Sequence, residues 1–317
     1  MADILITENI RGAAVDALAK QFDVAVQPEL WRDPVELAKQ ASDARALIIR
    51  NQTQMNAELL AACKKLIVVG RAGVGLDNVD VGAATKAGVL ITSTPDQNAI
   101  SVAELALGMM LSLARFLPAA DVDTKAGGWN RMRFLGTELY GKTLGIVGAG
   151  KIGFLTARRA QAFGMKVLAY DPFISRDNIH LFELNAELVS LDELLSRADV
   201  VSCHLPSTPQ TAKLLNADCF ARMKTTATFI NTSRGEVVDE EALLHALQSK
   251  TIAGAALDVR AVEPPVPSEL EKLPNVLLVP HVGALTREAQ DRVTVAVCED
   301  VARVLEGKPA LNAVNRV

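Results

Sequence analysis

Residues 143–171 read TLGIVGAGKIGFLTARRAQAFGMKVLAYD, and this stretch decides the fold. Gly148, Gly150 and Gly153 stand between an apolar strand pattern and a helix pattern, and Asp171 closes a second apolar run. This order is a dinucleotide-binding fingerprint, because the glycines allow a tight turn and close approach of the backbone to a pyrophosphate at the helix N-terminus. A bare Gly-x-Gly-x-x-Gly recurs by chance, so the flanking strand, helix and acid carry the prediction.

Asp171 indicates which dinucleotide is bound. An acid at this position holds the adenosine ribose hydroxyls and repels the additional 2′-phosphate of NADP. Pro172 follows it, and Arg176 lies close enough in the sequence to meet such a phosphate in principle. The acid itself disfavours a second negative charge, so we expect NAD.

Length and composition restrict the possible functions. The chain has 317 residues, 50% hydrophobic and 22% charged, which favours two domains. Its net charge of -4 and pI of about 5.7 show no excess of basic residues that would attract nucleic acid or an anionic membrane. We expect neither as a partner. No uncharged apolar stretch reaches the roughly 18 residues of a membrane span, and the start MADILITENI lacks a signal-peptide pattern. We therefore expect a soluble, cytoplasmic protein.

The cysteines and histidines predict no metal site. No Cys-x-x-Cys pair is present, and the histidines do not cluster with one another or with cysteine. The residues concerned are Cys63, Cys203, Cys219, Cys298, His180, His204, His245 and His281. We expect buried free thiols and no bound metal.

Short apolar runs predict two series of parallel strands separated by helices. The first series lies at residues 4–6, 24–26, 46–49, 66–69 and 89–91, and the second at 144–147, 167–170, 200–202, 228–231, 252–256 and 276–279. A long amphipathic helix is predicted between them, over residues 98–116. The apolar segment 288–305 predicts a final helix that returns to the first domain, and the proline cluster at 263–267 predicts a loop.

Three side chains with suitable chemistry follow strands of the second series. Arg234 follows ATFINTS, His281 follows VLLVP, and Glu263 lies in the loop after ALDV. Ligands of open α/β sheets bind at the carboxyl ends of the strands. Arg234 could bind a carboxylate, and a Glu beside His281 would raise the pKa of that histidine and fix its tautomer for acid–base chemistry. Taken singly, each residue is also compatible with a solvated turn arginine, a core histidine or an exposed loop glutamate.

The motifs extend this pattern along most of the chain. They read GRAGVGLDNVD (70–80), NAISVAELALGMMLSLAR (98–115), LGIVGAGKIG (144–153), NTSRGEVVDEEALLHAL (231–247), AGAALDV (253–259), EPP (263–265) and PHVGALTREAQ (280–290). In this order and spacing the chain resembles the D-2-hydroxyacid dehydrogenases, and in particular their D-3-phosphoglycerate dehydrogenase branch.

The resemblance implies an α/β fold of two Rossmann-like or flavodoxin-like domains with parallel sheets and an active-site cleft between the domains. Residues 1–97 and 286–317 would form the substrate domain, and residues 98–285 an inserted NAD-binding Rossmann domain. Arg234 would bind the substrate carboxylate and carbonyl, His281 would be the acid–base group, and Glu263 would orient His281.

The resemblance also implies binding residues. The expected cofactor contacts are Gly148, Gly150, Lys151, Ile152, Gly153, Asp171, His204, Leu205, Pro206, Thr232, Asp258 and Gly283, with a purely structural role open for His204. The backbone amides of Val74 and Gly75 would meet the substrate carboxylate. Arg50, Arg71 and Arg131 would favour a second anionic group on the substrate, although structural salt bridges would explain each of them equally well.

Assembly and regulation are further expectations from the resemblance. The long helix after Asn98 resembles the family's dimerisation element, so a homodimer through the NAD-binding domains is expected. Many members of the phosphoglycerate branch continue into a regulatory domain, whereas this sequence ends at Val317. Serine feedback through such a domain is therefore not expected.

The expected activity is an NAD-dependent oxidoreductase acting on a D-2-hydroxy acid, with 3-phosphoglycerate as the leading substrate. Hydroxypyruvate, glyoxylate and sulfolactate are the rival substrates, because no motif distinguishes a phosphate from a sulfonate or a hydroxymethyl group. A non-enzymatic NADH-sensing interaction protein is the alternative from another class, although the set of Arg234, Glu263 and His281 argues against it. A methyltransferase would not explain these three residues or the first α/β series.

Overall fold

The computed structural model describes residues 2–175, 181 and 183–317. Arg176 and His180, both considered in the sequence analysis, lie outside the described residues. The chain divides into two compact units, the first formed by Met1–Asn98 with Leu285–Val317 and the second by Ala99–Ala284. The substrate-binding and NAD-binding roles of the two predicted domains stay predictions.

The first unit is a five-stranded parallel sheet with strand order β2-β1-β3-β4-β5. Its strands are β1 (Ile4–Ile6), β2 (Val24–Val26), β3 (Ala46–Ile49), β4 (Val68–Arg71) and β5 (Leu90–Thr92). Its helices are α1 (Ala13–Leu18), α2 (Pro34–Ala41), α3 (Ala57–Ala62), α4 (Val81–Lys86) and, from the end of the chain, α11 (Arg287–Leu305). The central strands are buried along their whole length, as expected for a sheet covered on both faces.

The two faces of this sheet carry separate apolar cores. One core joins Leu5, Leu47 and Ile49 to α2, α3 and α4. The other core joins strand residues whose side chains point to the opposite face, such as Ile4 and Ile48, to α1 and α11. Gly70 in β4 explains how closely α11 packs, because a Cβ there would lie 2.6 Å from a methyl group of Val297. The final helix is therefore a core element of this unit.

The last residues of the chain close the β5 edge of the sheet. Val314 N donates to the Ile91 carbonyl at 2.8 Å, and Asn315 accepts from Ile91 N at 2.7 Å through Oδ1. The Nδ2 of the same asparagine donates to the Val89 carbonyl at 3.0 Å and to Thr85 Oγ1 at 2.9 Å. Because β5 is an edge strand, these bonds satisfy backbone groups that would otherwise need another partner.

We expect Asn315→Ala to destabilise the first unit. The substitution removes the acceptor of the buried Ile91 amide, which costs about 1–3 kcal/mol, so the temperature at which this unit unfolds should fall by several degrees. Leu311→Ala is the matched control, because the Leu311 side chain is 58% exposed and lies in the same tail. Differential scanning calorimetry measures both, and equal transitions for the two variants would contradict this role of Asn315.

The second unit is a seven-stranded parallel sheet with strand order β12-β11-β10-β9-β6-β7-β8. Its strands are β6 (Thr143–Val147), β7 (Lys166–Tyr170), β8 (Glu187–Leu188), β9 (Val200–Cys203), β10 (Thr228–Asn231), β11 (Gly254–Leu257) and β12 (Val276–Leu278). Its helices are α5 (Ala99–Arg115), α6 (Leu117–Lys125), α7 (Lys151–Ala162), α8 (Leu191–Arg197), α9 (Ala217–Arg222) and α10 (Glu240–Gln248). The predicted α/β class with two parallel sheets is confirmed.

The order of the strands indicates where this sheet would bind a ligand. The chain runs outward from β6 through β7 to β8, and then returns to β9 on the other side of β6. Loops leaving β6 and β9 therefore diverge at the carboxyl edge, and this topological switch point is where open α/β sheets bind ligands. Helix α5 packs against α7 across one face, while an edge-to-face pair of Phe220 and Phe229, with ring centroids 5.6 Å apart, fills the core on the other face.

Among the described residues, no single helix is long and apolar enough to cross a membrane. Helices α5 and α6 pass the length and composition test only when taken together, across a bend of 61°.

Candidate active site

Six strands of the second unit end at the same edge of the sheet, and each is followed by residues predicted to be functional. Gly148 follows β6, Asp171 follows β7, His204 follows β9, Thr232 and Arg234 follow β10, Asp258 follows β11, and His281 follows β12 by three residues. Parallel strands bring their carboxyl ends together. The sheet therefore gathers the predicted cofactor and catalytic groups of this unit along one edge.

His281 and Glu263 form a hydrogen-bonded pair. His281 Nδ1 lies 2.6 Å from Glu263 Oε2, and the side chains are 47% and 37% exposed, respectively. The hydrogen bond to Glu263 raises the pKa of His281, against the opposing effect of burial. Burial would raise the pKa of Glu263, but its bonds to His281 and to the Arg260 amide hold that pKa below its ordinary value. The imidazole therefore leaves its Nε2 available for a ligand, and its protonated form is favoured relative to that of an ordinary histidine.

The backbone of His281 is held in an uncommon conformation by Asp258. His281 has a φ of 52°, in the left-handed region, and its amide donates to the Asp258 carbonyl at 2.8 Å. The Asp258 carboxylate accepts from Val282 N at 2.6 Å and from Gly283 N at 2.9 Å. A Cβ on Gly283 would lie 2.8 Å from Asp258 Oδ2, so this position requires glycine.

Asp258 thus has a structural contact that the sequence did not reveal. It is 2% exposed, and burial raises its pKa although the two backbone bonds oppose that shift. The signal available in the sequence was an acid inside the apolar run AGAALDV. Its oxygens retain lone pairs beyond these two bonds, so the predicted cofactor contact is geometrically compatible with the observed one.

Arg234 sits in a turn fixed by the last residue of β10. Asn231 Nδ2 donates to the Arg234 carbonyl at 2.9 Å, and Asn231 Oδ1 accepts from the Ser233 amide at 3.0 Å and its hydroxyl at 2.8 Å. Arg234 Nη1 donates to the Ser233 carbonyl at 2.8 Å. The positive charge of Arg234 opposes protonation of His281 and of Glu263. The three predicted catalytic residues therefore interact electrostatically, and Asn231 is a supporting residue that sequence reasoning missed.

The three glycines of the fingerprint each face a different surrounding. Gly148 has a φ of 96°, and a Cβ there would lie 2.9 Å from the His204 backbone. A Cβ on Gly153 would lie 2.2 Å from the Gly148 carbonyl, whereas a Cβ on Gly150 would meet nothing within 4 Å. The first and third glycines are thus required by the fold of the turn, and the second leaves open space beside the backbone.

Open space at Gly150 coincides with an uncapped helix end. Gly150 is the N-cap of α7, and no side chain bonds to the first amides of that helix. Lys151 and Ile152 are the first helical residues, with Lys151 exposed. Exposed amides at the positive end of a helix dipole suit a phosphate, so this turn fits the pyrophosphate of a dinucleotide.

Asp171 contacts the same turn. Its Oδ2 accepts from Ala149 N at 3.0 Å, and its Oδ1 accepts from Phe173 N at 2.9 Å. These bonds fix the carboxylate at the end of β7, with lone pairs left for ribose hydroxyls. The contact of Asp171 with a ribose stays a prediction.

Two buried polar atoms near this edge lack a hydrogen-bond partner among the described residues. They are Nδ1 of His204 and Oγ1 of Thr232. His204 Nε2 lies 2.9 Å from Ser202 Oγ, and burial lowers the pKa of His204 to about 3. Leu205 is buried and Pro206 is exposed. Because buried polar atoms are normally satisfied, the two orphaned atoms fit a site that receives a polar cofactor.

The first unit carries four of the predicted substrate residues. Arg50 and Arg71 lie at the ends of β3 and β4, and Val74 and Gly75 follow in the next loop. Burial lowers the pKa of Arg50, and the charge of Glu8 opposes that shift. The Glu8 carboxylate accepts the Arg50 amide at 2.7 Å and the Thr53 amide at 3.0 Å, which fixes the loop after β3.

Arg131 lies in the second unit, in a short 3-10 helix, Arg131–Phe134. Its side chain is exposed, beside Trp129 and Met132, which are 78% and 79% exposed. Among the residues that the structure describes, no group of three or more His, Cys, Asp or Glu side chains could hold a metal ion.

Comparisons with known proteins agree with this geometry. Residues 107–283 match the family model described as D-isomer specific 2-hydroxyacid dehydrogenase, NAD binding domain. The chain is 45% identical over 315 residues to a D-3-phosphoglycerate dehydrogenase from Synechocystis sp., covering 99% of this chain and 56% of that relative. The chain thus spans a little over half the length of that relative.

Solved structures extend the likeness to both units. The TT0316 protein from Thermus thermophilus superposes with a TM-score of 0.92 at 36% identity, covering 98% of this chain and 99% of that chain. A glyoxylate reductase from Paecilomyes thermophila has a TM-score of 0.87 at 32% identity, covering 98% and 97% of the two chains. The chain therefore belongs to the D-isomer specific 2-hydroxyacid dehydrogenase family and contains its NAD-binding domain.

Proposed function

We propose that the protein is an NAD-dependent D-2-hydroxyacid dehydrogenase that interconverts a small 2-hydroxy acid and the corresponding 2-oxo acid. The observation that carries this proposal is the pair of His281 and Glu263, with Arg234 in electrostatic contact, at the carboxyl edge of the sheet that holds the dinucleotide fingerprint. Hydride transfer to a 2-oxo acid requires an acid–base group, an anion-binding group and a dinucleotide-binding site close together. One edge of this sheet carries residues suited to all three roles.

The residues have separate roles in this reaction. When bound, NADH supplies the hydride that is added to C2 of the 2-oxo acid. Arg234 binds the substrate carboxylate and polarises the carbonyl oxygen. His281 Nε2 donates a proton to that oxygen during reduction and accepts it during oxidation. Glu263 holds Nδ1 and stabilises the imidazolium form.

The cofactor is held by the glycine turn and by polar groups around it. The α7 amides after Gly150 would bind the pyrophosphate, and Asp171 would bind the adenosine ribose. Thr232 Oγ1, His204 Nδ1 and the remaining lone pairs of Asp258 would contact the nicotinamide half. The carboxylate of Asp171 favours NAD over NADP, because the 2′-phosphate would bring a second negative charge against it.

A 3-phosphoglycerate/phosphohydroxypyruvate pair is the leading substrate. The Synechocystis relative bears the name D-3-phosphoglycerate dehydrogenase, and Arg50 is a half-buried arginine whose guanidinium makes no hydrogen bond to any residue that the structure describes. A phosphate would supply one. We propose that Arg50 and Arg71 bind this second anion, and that the Val74 and Gly75 amides bind the substrate carboxylate. Hydroxypyruvate or glyoxylate reduction is the alternative, favoured by the neighbour named glyoxylate reductase; sulfolactate is a further candidate.

A homodimer through the NAD-binding unit is the proposed assembly. Large apolar side chains are exposed on α6 and the segment after it: Leu117 (52%), Val122 (67%), Trp129 (78%), Met132 (79%) and Leu135 (73%). Exposed apolar groups that cluster along one segment favour burial against a partner, and a second copy of the chain is the partner we propose. A cytoplasmic location fits the four cysteines, which are buried free thiols.

Initial rates of NADH oxidation test the substrate. The panel contains phosphohydroxypyruvate, sulfopyruvate, hydroxypyruvate and glyoxylate, each also measured with NADPH. We expect phosphohydroxypyruvate to give the highest kcat/KM, and Arg50→Ala to lower that value by about 10- to 100-fold, the loss of one charge-assisted contact of roughly 1.5–3 kcal/mol. Its effect on glyoxylate should be small.

Arg32→Ala is the matched control, because Arg32 is a surface arginine of the same unit, with its side chain 66% exposed and paired to Glu29. If hydroxypyruvate or glyoxylate dominates and Arg50→Ala changes nothing, the phosphoglycerate assignment is wrong. Binding of NADH without turnover of any 2-oxo acid would instead favour a non-enzymatic NADH sensor.

A further inference from the structure

Arg260 is a buried arginine that follows β11, and its side chain is 9% exposed. Nε and Nη2 donate to Glu240 Oε1 at 3.1 and 2.5 Å, and Nη1 donates to Glu271 Oε1 at 2.6 Å. Nη2 also lies 3.3 Å from Ser268 Oγ. We name Arg260, Glu240, Ser268 and Glu271 the Arg260 clamp. A planar guanidinium suits this arrangement, because its five donors can serve several acceptors at fixed angles.

The clamp joins three segments of the chain. Glu240 is the first residue of α10, and Glu271 lies in the short 3-10 helix Leu270–Lys272. The second oxygen of Glu240 accepts from the Ala261 amide at 3.0 Å, and that of Glu271 accepts from the Ser268 amide at 2.8 Å. Both ends of the stretch 262–267 are therefore tied to carboxylates held by one guanidinium.

Glu263 lies inside that stretch. Its Oε1 accepts from the Arg260 amide at 3.0 Å, while its Oε2 bonds His281 Nδ1 at 2.6 Å. The stretch has little packing of its own, since Val262 and Val266 are 65% and 74% exposed. The position of the Glu263 carboxylate is consequently set by the anchors on either side of it.

Arg260 also contacts the turn that carries Arg234. A Cβ on Gly235, the residue after Arg234, would lie 1.9 Å from the Arg260 carbonyl oxygen. Absence of a side chain at Gly235 therefore lets the two backbones pack together. Displacement of Arg260 would therefore shift both the loop that carries Glu263 and the turn that carries Arg234.

We propose that Arg260 is a positioning residue, which acts through the clamp to hold the Glu263 carboxylate against His281 Nδ1. This inference rests on the proposed function, because it assigns to Arg260 a part in the acid–base chemistry of the same site. Arg260 bonds neither His281 nor a group that would react. Its effect is transmitted through the loop.

The charged groups that face His281 define the expected response. Glu263 bonds it, the Asp258 carboxylate lies beneath its turn and also favours the imidazolium, and Arg234 opposes the imidazolium. Loosening the loop weakens the contribution of Glu263 and leaves the other two in place. The pKa of His281 should then fall towards its ordinary value.

NMR titration of the full chain with ¹³C-labelled histidine measures this directly, without substrate or cofactor. The His281 signal is identified as the one missing in His281→Asn, and Glu263→Gln defines the shift caused by losing the carboxylate. We expect Arg260→Met to lower the pKa of His281 in the same direction by about 0.5–1 unit, a three- to tenfold change in proton affinity. Arg260→Lys should restore part of the wild-type value, because an ammonium keeps the charge but not the fork of donors.

Two further variants separate positioning from general damage. Arg197→Met removes a similar arrangement from the same unit, since Arg197 bonds both Glu187 and Glu193, and should leave the pKa of His281 unchanged. Arg260→Met combined with Glu240→Gln and Glu271→Gln removes the clamp without leaving two uncompensated carboxylates. It should show the same lowered pKa if Arg260→Met alone folds poorly.

The pH profile of kcat/KM for reduction gives the second readout. Reduction needs protonated His281, so activity falls as pH rises through its pKa, and the Arg260→Met profile should fall at lower pH than wild type. A folded Arg260→Met or triple variant with the wild-type His281 titration would overturn the proposal. If the wild-type protein turns over no 2-oxo acid, the proposed function fails while the titration still decides the role of the clamp.

Discussion

Replacing His281 with Asn should lower kcat for the preferred 2-oxo acid by about 10²- to 10⁴-fold, the usual contribution of a positioned general acid. Asparagine keeps a hydrogen-bonding group of similar size, but it cannot transfer a proton to the substrate oxygen. It also tolerates the left-handed conformation of this residue, whose φ is 52°. The loss should therefore be chemical, with the backbone bonds to Asp258 preserved.

The measurement combines stopped-flow or steady-state NADH oxidation with fluorescence titration of NADH binding. We expect the dissociation constant of NADH to remain within about twofold, which is less than 0.5 kcal/mol. His245→Asn is the control, because His245 is an exposed histidine in the last turn of α10 and should have no effect on kcat. Wild-type kcat in His281→Asn would eliminate this histidine as the acid–base group.

The pKa of His281 determines how the two directions respond to pH. Glu263 raises that pKa, so the wild-type protein should keep the proton that the proposed reduction requires up to a pH above the ordinary histidine value. Reduction should decline as pH rises through the pKa, and oxidation should increase over the same range. Glu263→Gln removes the charge that stabilises the imidazolium and should move both limbs to lower pH.

Much of the fold follows from buried apolar runs and the glycines between them. The strands predicted at 4–6, 24–26, 46–49 and 228–231 have the bounds found in the structure, and the long helix predicted at 98–116 spans Ala99–Arg115. The strands predicted at 66–69 and 252–256 begin two residues later in the structure, as Val68–Arg71 and Gly254–Leu257. Strand β8 was missed because it has two residues, Glu187 and Leu188, of which one is charged.

Within the candidate site, contacts between residues that follow neighbouring strands are predictable from the sequence, whereas contacts that depend on the course of a loop are much less so. The pairing of Glu263 with His281 follows from their places on neighbouring strand ends. Other contacts are apparent only in the folded structure: the Asp258 bonds to the amides after His281, the Asn231 bonds around Arg234, and the Arg260 clamp. Each depends on how far a loop bends back, and neither periodicity nor residue spacing encodes that distance.

Within the dinucleotide fingerprint, the structure predicts different consequences for two glycines that the motif treats alike. At Gly150 the φ of −69° suits any residue, and an added Cβ meets nothing within 4 Å. Gly150→Ala should therefore fold like wild type. Because the methyl group would occupy the space beside the uncapped α7 amides, it should weaken NADH binding by at least about tenfold, or 1.4 kcal/mol.

At Gly153 the added Cβ would lie 2.2 Å from the Gly148 carbonyl and 2.9 Å from a methyl group of Ile146. Helix α7 would have to move away from β6. Overpacking of this kind lowers the free energy of unfolding by about 1–3 kcal/mol. That corresponds to a fall in Tm of roughly 2–12 °C for a unit of this size. Gly153→Ala should consequently lose both thermal stability and NADH binding, since the turn that presents the amides is distorted.

Calorimetry and NADH fluorescence titration on the two variants separate these causes. Gly82→Ala in α4 is the control, because its Cβ would make only an ordinary contact, 3.5 Å from Asp80 Oδ1, and it should lower neither property. Wild-type NADH affinity in Gly150→Ala would show that the pyrophosphate does not pass over this residue. Unchanged stability in Gly153→Ala would show that α7 can shift without cost. Close packing of α7 on β6 would then not explain why glycine stands at this position.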